Sequence, residues 1–237
     1  MTKARHDLHE LMCTCRFKLA ELGVRIHFTD DIRVFSQAVE GAGKLPPHPM
    51  MSAEFFDFKE NDFGSVVLEY RNAIAGGIGC YYYDLGKRTL GQHMTQSYQR
   101  LYGEHGNVGQ MAPLVRDRIT GPTVYLGEMF LTKPPRGTRG VSALVLIYIQ
   151  ALSFLFFDPN WVHAFVRVED GTRSKPLEYG FTTAIPAVQL WENPPKRQFS
   201  TEYFVANDRS QFSHFAATCL KQPHVLDLLL APGSSER

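Results

Sequence analysis

The order of apolar segments predicts a mixed α/β fold, an α+β arrangement around one central sheet with helices on both faces. Three observations lead there. Short β-branched and aromatic runs alternate with amphipathic ones along most of the 237 residues. One run, residues 141–157, is apolar almost throughout, as a helix pressed against a sheet would be. No internal repeat or low-complexity linker divides the chain, so it reads as a single unit: a helical extension over 1–22, a main domain over 23–206, and a helical segment with a tail over 207–237.

Each element follows from local pattern. Leu8, Leu11, Met12, Cys15, Leu19 and Leu22 recur near helical spacing, which predicts a helix over 3–21 ended by Gly23. A strand follows over 24–28. Thr29, Asp30 and Asp31 then supply a cap for a helix marked by Ile32, Phe35 and Val39, which stops at Gly41–Gly43. Three prolines make 44–51 a loop, and 55–63 is open between short helix and loop. Strands over 65–70 and 74–83 flank Arg71-Asn72-Ala73 as a hairpin, and residues 91–103 read as a polar helix before a loop over 103–109. A strand over 124–131, a loop over 132–140, the apolar helix and an alternating strand over 161–168 come next. Strands over 184–191 and 201–206, separated by a Pro194-Pro195 loop, precede helices over 211–221 and 224–230 and a tail from Pro232.

Composition narrows the function. With 25 basic and 24 acidic residues the net charge is +1, and no basic run suggests a nucleic-acid surface. Cys13, Cys15, Cys80 and Cys219 form no Cys-x-x-Cys pair, so they read as reduced thiols of a cytoplasmic protein with no metal. The charged N-terminus does not read as a secretory signal. As a helix, 141–157 would reach roughly 25 Å, short of the ~30 Å membrane interior, so no membrane association is expected.

The unit 124–157 carries the chemistry. Arg136-Gly137-Thr138-Arg139-Gly140-Val141-Ser142 stands directly before a long helix, whose first amides lack internal partners and carry partial positive charge. Glycines let an anion approach, and two arginines add donors, so a pyrophosphate is expected at this bend. A turn that merely joins strand to helix, with both arginines in solvent, would use the same residues.

The order of strand, Arg-Gly loop, apolar helix, strand and Glu178-Tyr179-Gly180-Phe181 resembles the GNAT superfamily of acyl-CoA N-acyltransferases. That family carries an Arg/Gln-x-x-Gly-x-Gly/Ala loop. Here Arg136 and Gly137 match, Arg139 stands at the fourth position, and Gly140 is offset by one. Four residues before Gly180 stands Pro176, where the family often has a tyrosine. The resemblance implies a mostly antiparallel sheet with a V-shaped split between parallel strands 124–131 and 161–168. It also implies acyl transfer to a small-molecule or peptide amine, from acetyl-CoA or another acyl-CoA. The pyrophosphate would lie on Arg136, Gly137, Thr138, Arg139, Gly140, Val141 and Ser142, and the pantetheine amides on the backbone of Phe130 and Leu131. Glu128, an acid in an apolar strand, would be the general base unless it faces solvent or pairs with an arginine, and Tyr179 the nearest proton donor. Tyr81, Tyr82 and Tyr83 offer one face to the acceptor pocket or to ordinary packing.

Two other readings use the same residues. Gly140-Val141-Ser142 opens like a hydrolase elbow, with His214 or His224 and Asp170 as partners, although Leu144 stands where the elbow needs glycine. An acyl-CoA-binding protein without turnover is the other, with Phe212, Phe215, Leu226 and Leu229 as homodimer contacts. Gly41-Ala42-Gly43-Lys44 only mimics a phosphate loop, since Leu45 replaces the required hydroxyl.

Overall fold

The computed structural model describes residues 2–45, 49–52, 54–56, 58–59, 61–192 and 202–230. The Pro194-Pro195 loop and the tail from Pro232 lie outside them. Among the described residues seven strands form one sheet, in the order β1 (Val24–Thr29), β2 (Phe63–Tyr70), β3 (Ala73–Asp84), β5 (Pro122–Leu131), β6 (Trp161–Val166), β9 (Tyr203–Asp208) and β7 (Thr183–Ile185). All neighbours are antiparallel except β5 and β6, which run parallel. The β2–β3 hairpin turns on Arg71 and Asn72, both with positive φ (53° and 62°), the conformation that matches strand twist in a two-residue turn.

One sheet face is covered by α5 (Val141–Phe156) and, outside it, α1 (Lys3–Glu21) and α8 (Arg209–Lys221). Twelve of the sixteen α5 residues are buried. This explains the uninterrupted apolar run, since each large side chain so removed from water contributes about 1.5–3 kcal/mol. The row Leu8, Leu11, Cys15 and Leu19 on α1 joins the same core. The opposite face carries α2 (Ile32–Gly41), capped by Asp31, and α3 (Leu90–Tyr102), capped by Thr89 and Gln92. Because both faces are covered, Phe63–Leu68 of β2 are buried without alternation.

Several expectations are corrected. The strand expected over 184–191 breaks at Pro186-Ala187, where Ala187 has φ 44°. Its halves join different sheets: β7 edges the main one, while β8 (Gln189–Trp191) pairs with β4 (Val108–Met111), inside the expected loop 103–109 and just beyond it. The strand expected over 161–168 ends at Val166, and α6 (Val168–Gly171) and α7 (Lys175–Glu178) follow. Loop 132–140 contains a helical turn, α4 (Lys133–Gly137), started by the two prolines at its first positions. Phe212 and Leu226, the latter on α9 (Pro223–Leu230), are buried in the core and Phe215 packs against it, so these three hold the C-terminal helices down rather than facing a second copy; the Leu229 side chain lies outside the described ones.

Candidate functional site

The site begins where β5 and β6 part. They pair from Thr123 opposite Trp161 to Leu126 opposite Ala164. Beyond this β5 continues to Leu131 paired only with β3, Phe130 opposite Gly77 and Leu131 opposite Gly76, so its other edge is open to the gap. The bend has a local cause. Gly127 opposes Gly79 but Phe130 opposes Gly77, so Glu128 and Met129 share the single partner position of Ile78, and Glu128 has φ 62°. This is a β-bulge, which adds a residue to one strand and turns it.

The bulge also decides where Glu128 points. Val124 and Leu126 face α5, and strict alternation would put residue 128 there too. Instead its carboxylate reaches the α2 face and forms an ion pair with Lys44, just past the end of α2. Both side chains are largely shielded, with 5% and 14% exposure. Space next door is tight: a Cβ on Gly127 would lie 2.5 Å from Met51 Sδ, so a larger residue there would have to displace that side chain.

On the α5 side the gap opens at the expected bend. Gly140 precedes α5 with φ 80° and no side chain caps the helix. The Thr138 amide donates to the Pro135 carbonyl, and the Val141 amide donates to the Thr138 carbonyl over 3.4 Å. These two are therefore spent internally. The amides of Gly140, Ser142 and Ala143 have no backbone acceptor among the described residues. Arg136, Thr138, Arg139, Gly140, Ser142, Phe130 and Leu131 all line the opening, whereas Gly137 and Val141 do not, Val141 being buried. Tyr179 follows α7 and also lines it, its phenol pushed up to about 12 by burial and by Asp170 and Glu178. A buried network fixes this segment: Gln150 Nε2 donates to the Tyr179 carbonyl (2.8 Å), and Asn207 Nδ2 donates to Gln150 Oε1 (2.7 Å) and the Gly180 carbonyl (2.8 Å).

On the α2/α3 side the same opening is lined by Lys44, Met50, Tyr98, Tyr125, Glu128 and Glu202. Glu202 continues the row of Phe204 and Ala206 on β9, the row that faces α3. Burial pushes its carboxyl up to about 7. Burial, with the Glu128 and Glu202 carboxylates nearby, raises the Tyr125 phenol well above its usual range, so it stays protonated.

The two openings are one cleft of about 950 Å³ that passes through the sheet. Its charge is divided. The α5 mouth holds Arg136, Arg139, Arg167, Arg173 and Lys175 against Asp170 and Glu178, five cations to two anions. The other end holds Glu128 and Glu202 against Lys44. Sequence reasoning missed Lys44, Met50, Tyr98, Tyr125 and Glu202; an acid opening the apolar strand 203–206 was the available signal for the last.

Other expectations do not meet in the cleft. Tyr81 packs on Phe58 (4.7 Å between ring centres), Tyr82 stacks on Phe157 (5.6 Å), and Tyr83 Oη lies 2.6 Å from His163 Nε2. None of the three lines the opening. Among the described residues no histidine bonds to Ser142, and Asp170 is paired with Arg167 (3.0 Å), so no hydrolase triad is assembled. Among the described residues no group of three or more His, Cys, Asp or Glu is placed to hold a metal, and no helix is long and apolar enough to cross a membrane.

No family model and no curated protein matches the chain. Solved structures do. The chain is similar to Arabidopsis thaliana Naa50 in complex with the bisubstrate analogue CoA-Ac-MVNAL, with 13% identity, 78% of this chain and 99% of that one covered, and a TM-score of 0.42. It is similar to FeeM, an N-acyl amino acid synthase from uncultured soil microbes (12% identity, 80% and 92% covered, TM-score 0.42). It is likewise similar to the aminoglycoside N(6')-acetyltransferase of Legionella pneumophila (11% identity, 80% and 95% covered, TM-score 0.43).

Proposed function

We propose that the protein is an acyl-CoA-dependent N-acyltransferase that moves an acyl group, acetyl in the simplest case, from coenzyme A to a primary amine. One observation carries the reading: a cleft passes through the sheet where β5 and β6 part, basic at the α5 mouth and acidic at the other. A diphosphate-bearing thioester and an ammonium are the two ligands that such a polarity sorts to opposite ends.

The diphosphate would take the amides of Gly140, Ser142 and Ala143 at the start of α5, with the Arg136 and Arg139 guanidiniums beside it. The pantetheine arm would pair with the open edge of β5 at Phe130 and Leu131, filling the place β6 has left. Its thioester then reaches the level of Leu126 and Ala164, the last paired residues. There the amine nitrogen attacks the thioester carbonyl, a C–N bond forms and the C–S bond breaks. The amine's proton passes to a carboxylate at the acidic end, where Glu128 and Glu202 both stand, and the leaving thiolate takes a proton from Tyr179, which lines the same cleft.

The test is a thermal-shift and calorimetric titration with acetyl-CoA and longer acyl-CoAs, followed by thiol release with a panel of amines. The reading expects saturable binding and amine-dependent release. Binding without release by any amine would leave only an acyl-CoA-binding protein, and absence of binding would refute the proposal.

A further inference from the structure

The acidic end of the cleft holds two carboxylates in different circumstances. Glu128 sits on the bulge with 5% of its side chain exposed and is held by the Lys44 ammonium. That carboxylate is committed to the bulge, since moving it onto another partner would strand a buried lysine. Glu202 has no ion pair among the described residues. It stands one residue before β9 on the strand row that faces α3, at the end of the sheet where β5 and β6 diverge, since Tyr203 opposes Val166, the last residue of β6. Its electrostatic neighbours include the Tyr98 and Tyr125 phenols, which line the same space.

We infer that Glu202 accepts the proton of the acceptor, which arrives as a primary ammonium, and that the Glu128–Lys44 pair positions the bulge rather than taking part in proton transfer. This rests on the acyltransferase reading above. Three observations converge on it. The carboxyl faces the cleft, so an ammonium entering from the α2/α3 side meets it before reaching the β5–β6 gap. The neighbouring phenols hold their protons and present hydroxyl groups, not charges, to the acceptor. Burial raises the carboxyl to about 7, close to neutrality, where a group can both take a proton from an amine and return it to solvent. The step balances simply. The ammonium proton moves to the Glu202 carboxylate and from there to water, and the freed amine attacks the thioester carbonyl. The C–S bond breaks as the C–N bond forms, the thiolate takes the Tyr179 proton, and the N–H proton lost as the amide forms restores that phenol.

The experiment compares the full-length protein with Glu202→Gln, Glu202→Asp and Glu128→Gln, using acetyl-CoA and a panel of primary amines, with thiol release followed from pH 5.5 to 9. Glu202→Gln is expected to lower kcat by about 100-fold or more, the ordinary scale of a lost general base, with the Kd for acetyl-CoA within twofold of the parent. The rise of kcat/KM with a midpoint near pH 7 should vanish in Glu202→Gln, return in Glu202→Asp, and persist in Glu128→Gln. A Glu202→Gln protein that keeps both the rate and the pH rise overturns the assignment, as does loss of the rise in Glu128→Gln alone. If the parent binds acetyl-CoA but no amine releases thiol, the role of Glu202 fails while the donor site stands. If acetyl-CoA does not bind, the acyltransferase reading fails and this inference with it.

Discussion

The two ends of the cleft are built by different means. The α5 mouth is a backbone device: three amides at a helix start, an open strand edge, and arginines added around them. The α2/α3 end is a side-chain device, gathering Lys44, Tyr98, Tyr125, Glu128 and Glu202 from four stretches of chain distant in sequence. Under the proposed reaction, the backbone device would hold what every acyl-CoA shares, and the side-chain device could be retuned for one acceptor without disturbing it.

The largest expected effect breaks the donor end alone. Replacing both Arg136 and Arg139 with Ala removes two charge-assisted donors at about 1.5–3 kcal/mol each, so affinity for coenzyme A should fall by roughly 100-fold or more in calorimetry. Unchanged affinity would remove the arginines from the site.

The next separates the ends by stability. Lys44→Met removes the ammonium that pairs with the largely buried Glu128 carboxylate and should lower Tm. Adding Glu128→Leu should recover much of that loss, because an apolar pair needs no compensation. Coenzyme A affinity should follow neither change.

Asn207→Ala tests the frame behind the donor mouth. It strips Gln150 Oε1 and the Gly180 carbonyl of their donor and should cost about 2 kcal/mol in denaturant unfolding, while loosening the segment that carries Tyr179.

A last effect reads Glu202 through pH. Folding raises its carboxyl from 4.5 to about 7, so between these values the folded chain binds the proton that the unfolded chain releases. That contribution to stability is full below about 4.5 and is lost as pH rises through about 7. Glu202→Gln should therefore gain Tm relative to the parent as pH goes from 5 to 8; parallel curves would show a carboxyl that is not buried.

The same contrast explains what the sequence made legible. The α5 mouth lies within one continuous unit, strand to bend to helix, so that Phe130, Leu131, Arg136, Arg139, Gly140 and Ser142 line one opening was legible by adjacency. The helical turn at 133–137 escaped because two prolines suggest a loop when they in fact start a helix. The acceptor end has no local signature. Lys44 looked like a stray phosphate-loop lysine, and its partnership with Glu128 depends on a bulge that adjusts one residue of register, which periodicity cannot reveal. Glu202 becomes meaningful only when β9 is known to pair with β6. Likewise, the 184–191 run is uniformly strand-like, and only tertiary pairing shows that Pro186 and Ala187 divide it between two sheets.

The most direct measurement is a crystal structure of the protein with coenzyme A. The account predicts the diphosphate on the amides of Gly140, Ser142 and Ala143, with the thiol in the gap just beyond Leu126 and Ala164, where the β5–β6 pairing ends. A diphosphate bound elsewhere, or a pantetheine arm that does not run along the open edge of β5, would contradict it.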